Sequence, residues 1–532
     1  MVSRNRDAVV SNVCCIGAGY VGGPTSAVMA LKCPKVQFTV VDIDSKRIAA
    51  WNSDHLPVYE AGLDDIVRAR RGVNLIFSTE IDTAIYDADI IMIAINTPPM
   101  EKDNKLGAAA DLRGIEQCMR RIAKVARHYK IIVEKSTVPC RTGDFISNIL
   151  RQNSQPGVNF DVLSNPEFLS EGSAIRDLLY PDRVIIGGLV GTEGAQEVLK
   201  SIYSRWVPED CIITMGLWSS ELAKLASNAL LAQRVSSINS ISAVCEAVGA
   251  DINEVSRGCG LDARIGSQFL QASVGFGGAC FHKDIQSLIW LSESLGLHDV
   301  AEYWDQVLKM NESQMSRFVQ RVINEVEGGL ENIRIAVLGF AFKSGTGDAR
   351  NTPATHICDQ LLRQGASLFI YDPKVPDEQI RNNLTVELDN HKSQLHICHD
   401  AYNAIAGSQV IVILTAWDEF QAIDWSKAHS QMIQPAYVFD GHRILDGSFL
   451  KQLGFHYASV GILCGLDQTT NIIMQSCQER IFSEDEGVEV VDLGLYLIRG
   501  DNIAIIGLLD EKEDAEIDLE NLQAAPLLAL KH

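Results

Sequence analysis

The chain is short of positive charge. Its 46 lysines and arginines face 68 aspartates and glutamates, for a formal net charge of −22 and a pI near 5.0. A surface of that sign repels nucleic acid over most of its area. Long apolar runs are missing too. Stretches such as Ile90-Ile91-Met92-Ile93-Ala94-Ile95 are far too short to span a bilayer. Met1 to Ala8 is polar and has no apolar h-region, so no signal peptide is expected. Cysteine is not scarce, but the 13 cysteines are scattered and odd in number, which makes no disulfide framework. A reducing, cytosolic compartment is the expectation, with Cys14 and Cys15 as buried small hydrophobes. What remains is ordinary globular material, with 46% hydrophobic and 21% charged residues. The 532 residues suffice for roughly three or four domains.

The charge is uneven. From Ile462 to His532, 15 acidic and 4 basic residues carry −11 of the total, and this shift marks the tail as a separate unit. Upstream, Val9 to Ile16 reads as a buried strand, and Gly17-Ala18-Gly19-Tyr20-Val21-Gly22 then opens a helix. Gln37 to Asp42, Asp89 to Asn96 and Tyr129 to Lys135 read as further strands with helical patterns between them. Alternation of this kind implies a parallel, doubly wound sheet. A second such pattern starts at Arg334 and continues through Ser367–Tyr371, 410–415 and 436–440. Between the two, 219–248 is almost free of breakers and carries apolar residues at helical spacing. The expected fold class is α/β: two doubly wound, Rossmann-like domains joined by a long central helix, with a separate tail. The expected divisions are 1–216, 217–330, 331–461 and 462–532.

Gly17-x-Gly19-x-x-Gly22 has dinucleotide spacing, and Asp42 stands twenty residues after Gly22 at a strand end. An acid there accepts from a ribose diol and repels a 2′-phosphate, so NAD is expected over NADP. Arg47, five residues on, is the one residue that argues for caution. The second informative stretch is Gly275-Phe276-Gly277-Gly278-Ala279-Cys280-Phe281-His282-Lys283-Asp284. Glycines let a backbone turn sharply around a ligand, and a thiol beside a cation is partly thiolate, the reactive form. A dinucleotide loop plus a nucleophilic thiol suggests an alcohol oxidised past the aldehyde, through a thioester, to an acid. Lys224 and Asn228 lie on one face of the long helix. Glu134-Lys135-Ser136-Thr137 and Ser164-Asn165-Pro166-Glu167 follow strand-like runs, where ligands bind in open α/β sheets. His391, His396, Cys398 and His399 fit no standard zinc spacing, and no metal is expected.

With Trp51-Asn52-Ser53, Asn96-Thr97-Pro98, Phe168-Leu169 and Gln233 to Ser240, these motifs make roughly the first 461 residues resemble the UDP-glucose 6-dehydrogenase family, animal type. The resemblance implies four-electron oxidation of UDP-glucose to UDP-glucuronate with two NAD reduced. It implies Cys280 as nucleophile, Lys224, Asn228 and Asp284 as the polar catalytic trio, and Thr137 and Glu167 as the pair serving water and thioester hydrolysis. Cofactor contacts would come from Gly17, Gly19, Tyr20, Val21, Gly22, Asp42, Arg47, Thr97, Ser136, Thr137, Glu171 and Arg350. Substrate contacts would come from Glu167, Phe168, Leu169, Lys224, Asn228, Phe276, Gly277, Phe281, Phe342, Lys343 and Arg443, with Arg264 reaching the partner subunit's substrate. A homodimer assembling to a hexamer is implied. Ala279, His282 and Ala349 depart from the pattern, which has Ser, Gln or Pro, and Thr there.

From about Leu463 the chain instead resembles a like-Sm protein of the U6-RNA-binding ring, on Gly465 to Asn471, Glu479 to Phe482 and Leu493 to Asn502. That resemblance implies uridine contacts from Asp467, Asn471, Arg499, Gly500 and Asp501, and with them a nuclear location. The fold's first helix and first strand have no counterpart, so the barrel is expected to be incomplete, with an open edge. Gene joining is the preferred origin of this tail, ahead of a working fusion or a degenerate remnant. Two other functions stay open: a sibling dehydrogenase acting on GDP-mannose or a UDP-N-acetyl sugar, and an RNA-binding scaffold on an inert body.

Overall fold

Runs of β-branched and apolar residues become strands, and a glycine or an acid ends most of them. A computed structural model describes residues 10–102, 105–384, 394–461, 472–482, 488–498, 518–519 and 522. The first strands are Asn12–Ile16 (β1), Gln37–Val41 (β2), Leu75–Ser78 (β3) and Ile90–Ile93 (β4). A short antiparallel hairpin, Pro99–Lys102 (β5) and Lys105–Ala110 (β6), follows. The next strands are Lys130–Glu134 (β7), Phe160–Ser164 (β8), Val184–Gly188 (β9) and Ile212–Gly216 (β10). They form one sheet in the order β10-β9-β8-β7-β4-β1-β2-β3. Six of its strands are parallel and doubly wound, as expected. The chain then reverses: β9 pairs antiparallel with β8, and β10 runs parallel to β9.

Both faces of this sheet are covered. Val13 and Cys15 of β1 enter one hydrophobic cluster, while Cys14 and Ile16 enter the other. That is the period-two alternation of a strand buried on both sides. Cys14 and Cys15 are each 1% exposed, as small hydrophobes in a core.

The second sheet has Arg334–Leu338 (β11), Ser367–Tyr371 (β12), Leu395–Ile397 (β13), Val410–Ile413 (β14), Tyr437–Asp440 (β15) and His456–Ser459 (β16). Its order is β13-β12-β11-β14-β15-β16, parallel throughout. Each sheet therefore has a switch point beside its first strand, where crossovers diverge and ligands bind. Between the sheets run three helices: Leu217–Val248 (the long helix), Ala279–Ser294 (the thiol helix) and His298–Glu325 (the clamp helix). Ala229, Ala232, Phe276, Ile285, Leu288, Val307 and Leu308 form their shared core.

The chain divides into two compact units, Met1–Val244 with Asp251–Gly461, and Cys245–Ala250 with Ile462–His532. In the second unit, Ile472–Ile481 (β17) pairs antiparallel with Glu489–Ile498 (β18), and the register shifts around Cys477. Asp467, Asn471, Arg499, Gly500 and Asp501 lie outside the described residues, as does His391. His396 stacks on Phe369, with ring centroids 4.4 Å apart. No helix among the described residues is long and apolar enough to cross a membrane.

Candidate functional site

At the first switch point the loop after β1 is shaped by what its glycines exclude. Gly17 sits at φ +109°, and a Cβ there would lie 2.2 Å from the Ala94 carbonyl oxygen. A Cβ on Gly22 would lie 1.9 Å from the Gly17 carbonyl oxygen, whereas one on Gly19 would meet nothing within 4 Å. The outer two glycines are fixed by packing, and the middle one faces the room a pyrophosphate needs. Such a cradle at the start of the helix Gly22–Lys32 fits a dinucleotide.

Asp42, 7% exposed, closes the next strand. Its Oδ2 accepts from Ala18 N (2.8 Å) and Arg47 Nη1 (3.1 Å), and its Oδ1 accepts from Asp44 N (2.9 Å). Arg47, the residue that argues for caution about the cofactor, is therefore paired with this carboxylate. The helix Ser45–Trp51 starts so soon after β2 that its first turn carries Arg47 back onto Asp42.

The thiol helix begins on Gly278, at φ +87°, where a Cβ would come 3.0 Å from the Phe342 ring. Cys280 is its second residue, open to solvent. Motif reading missed what holds the loop before it. From the clamp helix, the Asn311 side chain accepts from Phe276 N (2.8 Å) and donates to Phe276 O (2.9 Å), and Gln314 donates to Ser273 O (2.6 Å). From the long helix, Asn239 accepts from Ser273 N (2.9 Å). These polar residues lie at ordinary helical positions, and only the packed structure reveals their partners.

Around the thiol the polar groups are buried and linked. Asn228 Nδ2 donates to Asp284 Oδ2 (2.6 Å), and Lys224 Nζ pairs with Glu167 Oε1 (3.0 Å). Glu167 Oε2 accepts from Leu169 N (2.7 Å). Asp284 Oδ1 is buried without a protein partner, the kind of atom that a water or a substrate hydroxyl satisfies. Burial raises the Asp284 carboxyl, with Lys224 opposing. Burial opposes the Lys224 charge, but Glu167, Asp284 and Cys280 outweigh it and raise that ammonium. For Cys280 itself, burial comes first and Asp284 and Glu167 add to it. Together they push the thiol up against the pull of Lys224 and Lys283. This direction runs against the expectation that a neighbouring cation keeps the thiol partly as thiolate.

A cleft of about 1330 Å³ joins these parts. Its walls include Gly17 to Val21, Asp42, Arg47, Thr97, Ser136, Thr137, Glu167, Leu169, Glu171, Cys280, His282 and Arg350. The Thr97 hydroxyl donates to the Thr137 carbonyl (2.7 Å). Phe168 is gripped from the same side of the fold, its ring 3.9 Å from the Arg183 guanidinium and 5.3 Å from Lys224 Nζ. Lys343 Nζ donates to Ser170 Oγ (2.7 Å), Thr346 Oγ1 donates to Glu171 Oε2 (3.0 Å), and Arg350 lies 3.4 Å from Glu171. Gly277 packs against Asn351, Pro353 and Phe342, and Phe281 packs edge-on to Phe276. Arg443 is turned elsewhere: at φ 56° and 10% exposed, it pairs with Asp251 (2.9 Å) and donates to Val460 O (3.0 Å). Arg264 is 90% exposed and pairs with Asp262.

Three adjoining segments match family models of the UDP-glucose/GDP-mannose dehydrogenase family. Residues 11–207 match its NAD binding domain, 218–313 its central domain and 336–447 its UDP binding domain. Residues 457–508 match the LSM domain. The start of that match overlaps β16, which is paired into the second sheet. Among curated proteins, the chain is 55% identical to UDP-glucose 6-dehydrogenase of Drosophila melanogaster, over 84% of this chain and 96% of that one. It is 51% identical to UDP-glucose 6-dehydrogenase of Gallus gallus, over 85% and 93% respectively. Among solved structures it is similar to a UDP-glucose dehydrogenase from Pyrobaculum islandicum, with a TM-score of 0.72 and 29% identity over 85% of this chain and 99% of that one.

Proposed function

Because the chain belongs to the UDP-glucose/GDP-mannose dehydrogenase family, we propose that it oxidises C6 of UDP-glucose from alcohol to carboxylate through a covalent step on Cys280. The carrying observation is one cleft lined by the Gly17–Gly22 loop, Glu167 and Cys280 together, with Lys224 paired to Glu167, Asn228 bonded to Asp284, and the charges of Asp284, Glu167 and Lys224 acting on the thiol. Gly17, Gly19, Gly22 and Asp42 would hold NAD, which would accept one hydride per molecule, so that two NAD in turn would serve the two oxidations.

Asp284, its carboxyl raised by burial and its Oδ1 free of protein partners, suits the role of base that takes the C6 hydroxyl proton as the alcohol becomes an aldehyde. Cys280 Sγ then adds to the aldehyde carbon. Asp284 has by then released the first proton to solvent and takes the thiol proton, and the former carbonyl oxygen is stabilised as an oxyanion by the Lys224 ammonium and the Asn228 amide. Loss of a second hydride from this thiohemiacetal gives a thioester. Glu167 and Thr137 hold the water whose oxygen bonds to that carbon, the C–S bond breaks, one water proton restores the thiol, and the other leaves to solvent as the product becomes a carboxylate. A thiol pushed up by burial and by its acidic neighbours is consistent with this order, since deprotonation is needed only when an aldehyde is present to accept the sulfur.

The divisions 1–216, 217–330, 331–461 and 462–532 follow the same reading. Phe168, Leu169, Phe276, Gly277, Phe281, Phe342 and Lys343 would face the sugar nucleotide. A homodimer, and a hexamer of dimers, is supported by exposed apolar residues on and after the long helix, among them Leu230, Ile241, Leu261, Ile265 and Phe269. The exposed Arg264 is available to a second copy. A cytosolic site is in keeping with Cys14, Cys15, Cys33, Cys280 and Cys358 in the reduced state. RNA as a partner of the tail, and a nuclear location with it, rest on the LSM match alone.

The test is NADH production by the full chain with UDP-glucose, GDP-mannose and UDP-N-acetyl sugars. The expected result is two NADH per UDP-glucose, and loss of UDP-glucuronate in Cys280→Ser, because serine has no thiolate character near neutral pH. Turnover confined to another sugar nucleotide would overturn the substrate. Normal stoichiometry in Cys280→Ser would overturn covalent catalysis.

A further inference from the structure

Glu60 belongs to no motif, lies on a loop, and is only 2% exposed. A buried carboxylate is retained at a cost unless its oxygens are fully engaged, and these are. Oε1 accepts from the Tyr20 hydroxyl and from Gly172 N (2.7 Å), and Oε2 accepts from Ala174 N (3.0 Å). Burial and the bond to Glu60 keep the Tyr20 phenol far above its usual range, so it remains a donor.

The two ends of this junction differ in kind. Tyr20 sits inside the dinucleotide loop, which the cofactor must touch. Gly172 sits in the loop after Glu167, at φ +85°, where a Cβ would come within 2.7 Å of the Gly345 carbonyl oxygen. Its neighbours grip the same segment of the second lobe: Ser170 through Lys343, and Glu171 through Thr346 and Arg350. One carboxylate thus ties the cofactor loop to the loop that holds the sugar-nucleotide lobe.

We propose that Glu60 is a positioning residue that couples the cofactor site to the sugar-nucleotide site. Cofactor on the Gly17–Gly22 loop fixes Tyr20. Tyr20 and Glu60 fix Ser170–Ala174, and that loop fixes Lys343–Arg350. Whichever ligand arrives first bears the ordering of this path, so the second binds more tightly, and the effect is reciprocal. The proposal rests on the dehydrogenase function given above.

Its test uses the full chain with NADH and UDP-glucose, a pair that binds without turnover. Calorimetry gives the UDP-glucose Kd with and without saturating NADH. In the wild type the two values should differ by about fivefold or more, in favour of the NADH complex. In Tyr20→Phe, which keeps the ring and leaves the Glu60 bonds to Gly172 and Ala174, the ratio should fall to about one, while the Kd for UDP-glucose alone moves by less than about threefold. Glu60→Ala should match it, and if that variant does not fold, Tyr20→Phe decides. A wild-type ratio near one, or a Tyr20→Phe ratio equal to the wild type's, overturns the proposal. NADH production by the wild type is measured alongside. Normal turnover with unchanged coupling in Tyr20→Phe overturns the role of Glu60 and leaves the dehydrogenase standing, whereas no turnover overturns the function itself.

Discussion

Asp42 has two duties that pull against each other. It faces the cleft as the group a ribose diol would meet, and it neutralises Arg47 at 3.1 Å. In Asp42→Ala the guanidinium is released beside the place where a 2′-phosphate would sit, and Arg binds phosphate in a charge-assisted fork. The ratio of kcat/KM for NADP over NAD should therefore rise about tenfold or more, equivalent to about 1.4 kcal/mol of barrier. An unchanged ratio would mean that Arg47 cannot reach a cofactor phosphate. The position of Asp42 was legible, because the spacing from Gly22 is a property of the chain. The pairing was not, because it depends on where a short helix points a flexible side chain. Glu60 and Asn311 were illegible for a stronger reason. Each acts on backbone atoms that folding brings from far along the chain, and no local pattern marks them.

At the scale of elements, β7 ends in a buried acid. Glu134 is 1% exposed, its Oε1 accepts from Ser136 N (2.7 Å), and its Oε2 has no protein partner. Burial lifts this carboxyl to about 8 from an ordinary value of 4.5. A folded pKa above the unfolded one means that the native state holds its proton more tightly. Stability contributed by that proton is present at low pH and is lost as pH rises from about 4.5 to about 8. Each tenfold difference in proton affinity between the folded and unfolded chain is worth on the order of 1.4 kcal/mol. Glu134→Gln keeps the acceptor and removes the titration. Its thermal midpoint should exceed the wild type's at pH 8.5 by a few degrees, and the gap should close by pH 5. A parallel pH dependence in both proteins would show that Glu134 is neutralised in some other way. The parallel cores of both sheets were readable as apolar runs that end in glycine or acid. The reversal at β9 and β10 was not, because strand direction is decided by connections and packing rather than by the composition of the strands.

At the scale of the whole molecule, the residues grouped around the cleft all precede Gly461, and β16 closes the second sheet just before it. A chain ending at Gly461 should keep NADH production within about twofold of the full chain and an unchanged thermal midpoint, since it retains every residue lining the cleft and all six strands of the second sheet. A tenfold loss, or aggregation, would make the tail part of the enzyme. The break was legible as a change in charge and motif, and so was a closing strand near Phe455 to Val460, where β16 lies in the second sheet. The resting state of Cys280 carries a last consequence, for the ageing of the protein. Peroxide and alkylating agents attack thiolates rather than thiols. Cys14, Cys15, Cys33, Cys245 and Cys358 are shielded by burial, whereas Cys280 must stay open to its substrate. Surroundings that push its thiol up leave less of it as thiolate, so a thiol that cannot hide reacts more slowly with oxidants between turnovers.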